Sequence, residues 1–92
     1  LAWEETDTHG FWSKPLFADA PSGGTTSLMR VDAGAFAPSH THDQLEEIMV
    51  IEGEFFDEDC TYRAGDYCVR APGTPHTSGS HDGCTVLLIY RD

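Results

Sequence analysis

The sequence has few basic residues, and this scarcity limits what the chain can bind. Five lysines and arginines stand against sixteen aspartates and glutamates, which gives a formal net charge of −11. Because phosphate backbones attract basic surfaces, we expect no direct nucleic-acid partner. The same acidity repels anionic substrates at long range unless a bound cation offsets it locally.

Long apolar runs are also missing. The chain has no stretch of eighteen apolar residues, so the sequence predicts no membrane-spanning helix and no membrane partner. Cysteine is scarce as well, since Cys60, Cys68 and Cys84 form an odd set without a C-x-x-C pair. We interpret them as reduced thiols of a cytoplasmic protein. We expect them to be small apolar residues that are buried or half-buried on strands.

Helical periodicity is the third absence. No segment of helical length repeats its apolar residues every 3.6 positions, and short apolar or alternating stretches are separated by turns rich in glycine and proline. This pattern predicts an all-β chain, a small antiparallel β-sandwich or barrel that forms one domain over residues 1–92. Because so short a domain buries a modest core, a bound metal or a dimer contact would stabilise it.

Two histidines with a nearby carboxylate are the main chemical feature that is present. His40 and His42 are two residues apart, a spacing that points both side chains to one face of a β-strand. Glu46 follows four residues later, and His76 comes directly after residues 71–75, whose prolines and glycine predict a turn. Imidazoles and a carboxylate that converge in this way make a site for a divalent transition metal.

The spacing of these residues resembles the two sequence motifs of the cupin superfamily. The first motif, over residues 34–53, has every fixed position filled, by Gly34, His40, His42, Glu46 and Gly53. The second motif, over residues 65–80, matches at His76 but has Ala71 and Ser80 where the family has a proline and an asparagine. The resemblance implies a double-stranded β-helix, or jelly roll, with four metal ligands: His40, His42, Glu46 and His76.

Residues 46–53 and 62–67 are more specifically similar to the ChrR-type cupins. That group includes the C-terminal domain of zinc-dependent anti-sigma factors and small proteins similar to acetylacetone dioxygenase and 2,4'-dihydroxyacetophenone dioxygenase. The resemblance implies a non-haem iron dioxygenase that cleaves a carbon–carbon bond of a small diketone or hydroxyketone. It also allows a zinc-binding sensor or structural domain without catalysis. Iron and zinc are therefore the expected metals, with nickel or manganese as alternatives.

The remaining expectations concern the pocket and the partners. Phe36, Met49 and Tyr67 are expected to wall a substrate pocket, whereas His9 and His81 are interpreted as surface residues. A small-molecule substrate or effector is the expected partner, and the resemblance suggests a homodimer that pairs through a sheet. A sugar-binding or isomerase-type cupin without a metal is a third possibility, which the full set of four ligands argues against.

Overall fold

The computed structural model describes residues 2–91, in which nine strands and no helix are found. The strands are β1 (Glu4–Glu5), β2 (Phe11–Asp19), β3 (Gly24–Val31), β4 (Phe36–His40), β5 (Leu45–Phe56), β6 (Thr61–Arg63), β7 (Tyr67–Arg70), β8 (His76–Gly79) and β9 (Cys84–Arg91). Every strand pairing is antiparallel, and the predicted all-β class is confirmed. Within residues 2–91 there is thus no helix of the length and apolarity needed to cross a membrane.

The strands form one curled sheet that closes part-way into a half-barrel. Its larger layer runs in the order β1, β2, β3, β9 and β5, with β7 also paired to β5. Its smaller layer contains β4, β8 and β6. Strand β5 belongs to both layers, because residues 45–53 pair with β9 and residues 54–56 pair with β6. This long central strand therefore fixes how the two layers face each other.

A bend in β5 lets it pass from one layer to the other. Its register against β9 shifts between Val50 and Glu52, which is the signature of a β-bulge. Gly53 follows with a φ of 80°, a conformation that side chains disfavour. A Cβ atom at this position would also lie 2.2 Å from the carbonyl oxygen of Gly83. The glycine of the first motif is thus required by the bend.

The core lies between the two layers, on the faces that alternate inward along each strand. In the larger layer these residues form rows across neighbouring strands, because the strands are in register. The row nearest the histidines consists of Thr25, Tyr90, Glu46 and Arg70. The next two rows consist of Pro15, Ser27, Leu88 and Ile48, and of Ser13, Met29, Val86 and Val50. Polar side chains are thus concentrated at the histidine end, and apolar side chains follow further inside.

Candidate metal centre

The structure brings His40, His42 and His76 together, although the second and third are 34 positions apart in the sequence. Their candidate ligand atoms all lie within 4.8 Å of one another. His40 and His76 are direct cross-strand partners on β4 and β8, and their ring centroids are 4.5 Å apart. His42 lies just beyond the end of β4, so the two histidines of the first motif converge without sharing one regular strand.

The hydrogen bonds of two of these imidazoles prepare them to bind a metal ion. Nδ1 of His40 lies 2.8 Å from the carbonyl oxygen of Pro38, and Nδ1 of His76 lies 3.1 Å from that of Thr74. Because a carbonyl oxygen only accepts, both Nδ1 atoms carry the proton, and both Nε2 atoms keep a lone pair. Nε2 of His76 is buried and has no hydrogen-bond partner among residues 2–91. A metal ion at the cluster would satisfy this atom, so the three histidines fit such an ion.

The protonation state of the cluster also suits a metal. Burial lowers the pKa of His42 and of His76, and the nearby Arg70 guanidinium lowers both further, while Glu46 acts in the opposite direction. Since the net shift is downward from 6.5, both imidazoles are neutral at pH 7. Neutral imidazole is the form that coordinates metals.

Glu46 is buried beside the cluster, and other groups already hold both of its oxygens. Oε1 lies 3.5 Å from Nε2 of His76, and Oε2 lies 3.5 Å from Nε2 of His42. Oε1 also accepts a hydrogen bond of 2.8 Å from Arg70, and Oε2 accepts one of 2.8 Å from the Tyr90 hydroxyl. The carboxylate therefore contacts two of the three imidazoles but stands outside the compact group of three ligand atoms. Its role as a fourth ligand stays a prediction.

Arg70 links Glu46 to a second buried carboxylate. Its other terminal nitrogen donates a hydrogen bond of 2.7 Å to Asp57, and the Arg70 side chain is only 7% exposed. Burial disfavours the charged form of Arg70. The hydrogen bonds with Glu46 and Asp57 outweigh this effect and raise the pKa of Arg70. The same contact holds the pKa of Asp57 below its ordinary value. The histidine cluster is thus bordered by a buried network in which Arg70 lies between the carboxylates of Glu46 and Asp57.

Sequence reasoning missed Arg70, Asp57 and Tyr90. Arg70 comes six residues before His76, Asp57 follows the end of β5 and Tyr90 lies on β9, and no spacing rule connects any of them to the motif. The one available signal is weak: Arg70 ends the strand Tyr67–Arg70 on the same side as Cys68, which is partly buried. A charged residue on an inward face needs a partner of opposite charge.

A cavity of about 760 Å³ opens beside the cluster. His40, His42, Glu46 and Tyr90 are among the residues that line it, and an apolar wall continues from them. His40 and His42 therefore face a space large enough for a small organic molecule. Three imidazole ligands leave coordination positions of a bound ion open, and these positions would be accessible from the cavity.

The residues expected to wall the pocket lie elsewhere. Phe36, Met49 and Tyr67 are 53%, 39% and 51% exposed, and none of them lines the cavity. Met49 points away from the face of β5 that carries Glu46, because the two are three positions apart on a strand. Tyr67 pairs with Met49 and shares its outer face, and Phe36 precedes the inward-facing Ala37. Because side chains alternate between the two faces of a strand, these three residues lie outside the cavity, and the expectation that they wall it is corrected.

The remaining histidines are exposed, as expected. His81 stacks on Phe56 with ring centroids 4.6 Å apart, and His9 lies in the turn before β2. Neither belongs to the histidine cluster.

Comparison with known proteins identifies the family. The sequence model of the ChrR cupin-like domain matches residues 1–91. The chain belongs to the ChrR cupin-like domain family. No curated protein sequence matches it.

Solved structures share the fold of this ChrR cupin-like domain at low sequence identity. The anti-sigma ChrR in complex with SigE from Rhodobacter sphaeroides superposes with a TM-score of 0.85 at 24% identity, covering 98% of this chain and 49% of that one. An RmlC-like cupin from Ralstonia eutropha JMP134 gives 0.87 at 20% identity, covering 98% and 62%. An acetylacetone dioxygenase from Acinetobacter johnsonii gives 0.80 at 17% identity, covering 89% and 60%. The chain thus spans about half to three fifths of the length of these proteins.

Proposed function

We propose that this ChrR cupin-like domain is an iron(II)-dependent dioxygenase that cleaves a carbon–carbon bond of a small diketone or hydroxyketone. The observation that carries the proposal is that His40, His42 and Glu46 line a cavity of about 760 Å³. A structural zinc site is closed by four protein ligands and needs no such space. A metal centre that faces a ligand-sized cavity suits an ion that also binds a substrate.

In this proposal the protein supplies binding and orientation. His40, His42 and His76 would hold the ion, with Glu46 as a fourth ligand beside two of them. Bound iron(II) would supply coordination positions for the ketone oxygens and the redox chemistry needed to use dioxygen. Arg70 and Tyr90 fix the Glu46 carboxylate through hydrogen bonds, and the apolar cavity wall keeps water from the reacting carbons. For a 1,3-diketone, both atoms of dioxygen would enter the products, a carboxylic acid and a 2-oxoaldehyde, so no further reductant is needed.

Oxygen consumption tests the proposal directly. Protein loaded anaerobically with iron(II) is mixed with aerated buffer and a panel of diketones and hydroxyketones, and oxygen uptake is followed. We expect uptake with at least one ketone and incorporation of both labelled oxygen atoms from ¹⁸O₂ into the two cleavage products. Protein that carries stoichiometric iron yet consumes no oxygen with any member of the panel would refute the proposed activity.

The ligand assignment is tested with matched histidine variants. His40→Ala and His76→Ala should each lower the affinity for zinc or iron(II) by about two orders of magnitude or more, because each removes one donor from the cluster. His81→Ala is the control, since that imidazole is exposed and outside the cluster. Titration calorimetry and elemental analysis provide the measurements. Loss of the metal in His81→Ala, or its retention in His76→Ala, would contradict the assignment.

A zinc-binding sensor or structural domain is the second candidate. It is supported by membership of the ChrR cupin-like family and by the position of Glu46, which with the three histidines would complete a closed set of four ligands. Elemental analysis of protein purified from its native cells without added metal separates the two functions. Stoichiometric zinc would favour the sensor, and iron would favour the dioxygenase. Nickel or manganese would leave the enzyme with a different metal.

Two broader proposals accompany this function. We place the protein in the cytoplasm, a proposal that its three free cysteines support, because thiols stay reduced in that compartment. Cell fractionation with a tagged chain tests it. We also propose that the protein forms a homodimer through the outer face of its larger layer, where apolar side chains from four strands lie side by side.

A further inference from the structure

The wall of the cavity is mostly apolar beyond the histidine end, although serine and threonine hydroxyls also line it. Ile48 and Leu88 follow Glu46 and Tyr90 on their strands, one inward row further from the histidines. Met29 lines the next row, and Phe11 and Phe55 complete the apolar surroundings. A ligand whose polar atoms meet the histidines would therefore extend its remaining atoms into a region of mostly apolar side chains, in which the hydroxyls of Ser13, Ser27 and Ser78 are the nearest polar groups of the wall.

Beyond the histidine end, the cavity offers no cationic side chain to an anionic ligand. Among the described residues that line it there is no lysine or arginine, and the charged carboxylate of Glu46 is present. Arg70 is near but already gives one hydrogen bond to Glu46 and one to Asp57, and it does not line the cavity. An anionic group placed beyond the histidine end would lose its hydration without gaining a partner. The net charge of −11 would also repel such a ligand at a distance.

The dimensions of the cavity exceed the needs of the smallest ketones. Its volume of about 760 Å³ lies within the range of about 300–1,000 Å³ that is typical of sites for drug-sized molecules. Leu16 and Phe17 line it as well, and they are 46% and 64% exposed. These two residues give the mouth an apolar rim, through which an apolar ligand can enter without first meeting charged groups.

We propose that the cavity selects an uncharged ligand with an apolar part the size of an aromatic ring, and that the favoured substrate class is the 1-aryl-1,3-diketones. The two ketone oxygens lie at the histidine end, and the ring packs between Ile48, Leu88 and Met29. This inference deepens the function proposed above and rests on it. It adds two conditions that the proposed function alone does not set: an apolar ring increases affinity, and a negative charge on that ring abolishes the gain.

Three ligands with one shared chelating group separate size from charge. They are acetylacetone, 1-phenyl-1,3-butanedione and 1-(4-carboxyphenyl)-1,3-butanedione, titrated calorimetrically into iron(II)-loaded protein under oxygen-free conditions. Burial of the phenyl ring should tighten binding by about tenfold to a hundredfold relative to acetylacetone. The carboxyphenyl compound should bind at least about tenfold more weakly than the phenyl compound. Zinc-loaded protein serves as a second sample that cannot turn over.

A cavity-filling variant locates the ring. Ser27 lines the cavity in the row of Leu88 and Ile48, so Ser27→Phe should remove the preference for the phenyl compound and keep the affinity for acetylacetone. Leu28→Phe is the control, because Leu28 points to the opposite face of β3 and does not line the cavity. Thermal melting and metal content of both variants confirm that each is folded and loaded. If Ser27→Phe does not fold, the three-ligand series in the unmodified protein still decides the question.

The possible outcomes separate this inference from the proposed dioxygenase function on which it rests. Equal affinities for acetylacetone and the phenyl compound, or equal affinities for the two aryl compounds, would overturn the inference and leave the dioxygenase proposal intact. Metal-loaded protein that binds none of the three diketones would overturn both. A phenyl preference that persists in Ser27→Phe would also count against the inference, because the ring would then lie elsewhere.

Discussion

Arg70 is the residue on which the electrostatics of the candidate site depend. It lies between two buried carboxylates, 2.8 Å from Glu46 and 2.7 Å from Asp57. A buried charge that loses its partner is strongly destabilising, because neither water nor another cation replaces the lost interaction. Within the described residues, Arg70 is the only guanidinium that contacts either carboxylate, so it matters more to the fold than its place at the end of a short strand suggests.

Arg70→Met should therefore lower the free energy of unfolding by about 3–5 kcal/mol in metal-free protein, since it removes the one guanidinium that Glu46 and Asp57 share. Arg63→Met is the matched control, because Arg63 is exposed on β6 and should change stability by less than about 0.5 kcal/mol. Urea denaturation followed by circular dichroism measures both. A loss in Arg70→Met no larger than that of the control would contradict the role given to the network.

Glu54 carries a third buried carboxylate, apart from the histidine cluster. Its Oε1 accepts hydrogen bonds from the amides of His81 and Asp82, at 2.5 and 2.7 Å, and lies 2.8 Å from the Ser80 hydroxyl. Burial raises the pKa of Glu54, but these hydrogen bonds outweigh it and shift the pKa below the ordinary value of 4.5. The ionised Glu54 carboxylate thus stabilises the turn between β8 and β9.

A lowered carboxyl pKa fixes the sign of the pH dependence. The folded state holds the Glu54 proton more weakly than the unfolded chain does, so the stabilisation is complete above about pH 4.5 and is lost as pH falls through the folded pKa. Glu54→Gln should cost about 1–3 kcal/mol at pH 7, and this difference from wild type should shrink as pH falls below 4.5. Thermal melts from pH 3 to 7 measure it, with the exposed Glu52→Gln as control. A difference that stays constant over this range would contradict the prediction.

Single residues of the site were predictable only where they belong to a motif. The histidines follow a spacing that the cupin resemblance makes recognisable, and the structure brings those three together. Tyr90 sits in the apolar run Cys84–Arg91 and reads as core, although its hydroxyl holds Glu46. Such contacts depend on which residues face each other across the sheet, and the local sequence does not contain that information.

At the scale of elements, the bend in β5 determines the geometry of both layers. Gly53→Ala should lower the free energy of unfolding by about 3 kcal/mol or more, because it combines an unfavourable φ with a contact of 2.2 Å to the Gly83 carbonyl. Gly65→Ala is the control: its φ is 91°, but an added Cβ would meet nothing within 4 Å, so only the cost of about 1–2 kcal/mol for the backbone applies. Chemical denaturation compares the two. Equal losses would show that the close approach at Gly53 relaxes freely.

Most strands were predictable because their signals are local. The apolar run that begins at Glu46 is indeed a strand, and residues 53–62 contain the predicted hairpin between β5 and β6. The assignment of residues 78–82 to a loop was less successful, since β8 extends from His76 to Gly79 and pairs with β4. None of its four residues is apolar, so the sequence gives no strand signal, and the pairing with β4 stabilises the strand instead.

At the scale of the whole molecule, the outer face of the larger layer carries the proposed dimer contact. Leu28, Leu87, Met49 and Tyr67 form a row across β3, β9, β5 and β7. Ile51 and Val69, on β5 and β7, are 50% and 53% exposed. Contiguous apolar surface of this kind is a common mark of a protein interface.

Sedimentation velocity should therefore show a species of two 10.1 kDa chains for the unmodified protein. Ile51→Glu should shift it to the monomer, because the interface would bury two unpaired carboxylates. Phe36→Glu is the control, as this residue is equally exposed but lies on the smaller layer. A monomeric wild type would rule out the dimer, and dissociation by Phe36→Glu would move the interface to the other layer.

Strands β4 and β8 form a two-stranded ribbon that meets β5 through one register pair, between Phe56 and Gly79. The ribbon carries His40 and His76, whereas Glu46 belongs to the long central strand. An ion bound to all three of these residues would connect the ribbon to the central strand β5. In cells that lack this ion, the ribbon would be held to the larger layer less firmly. The exposed peptide bonds of residues 71–75 would then become early targets for proteases. The abundance of the protein would then follow the supply of its metal.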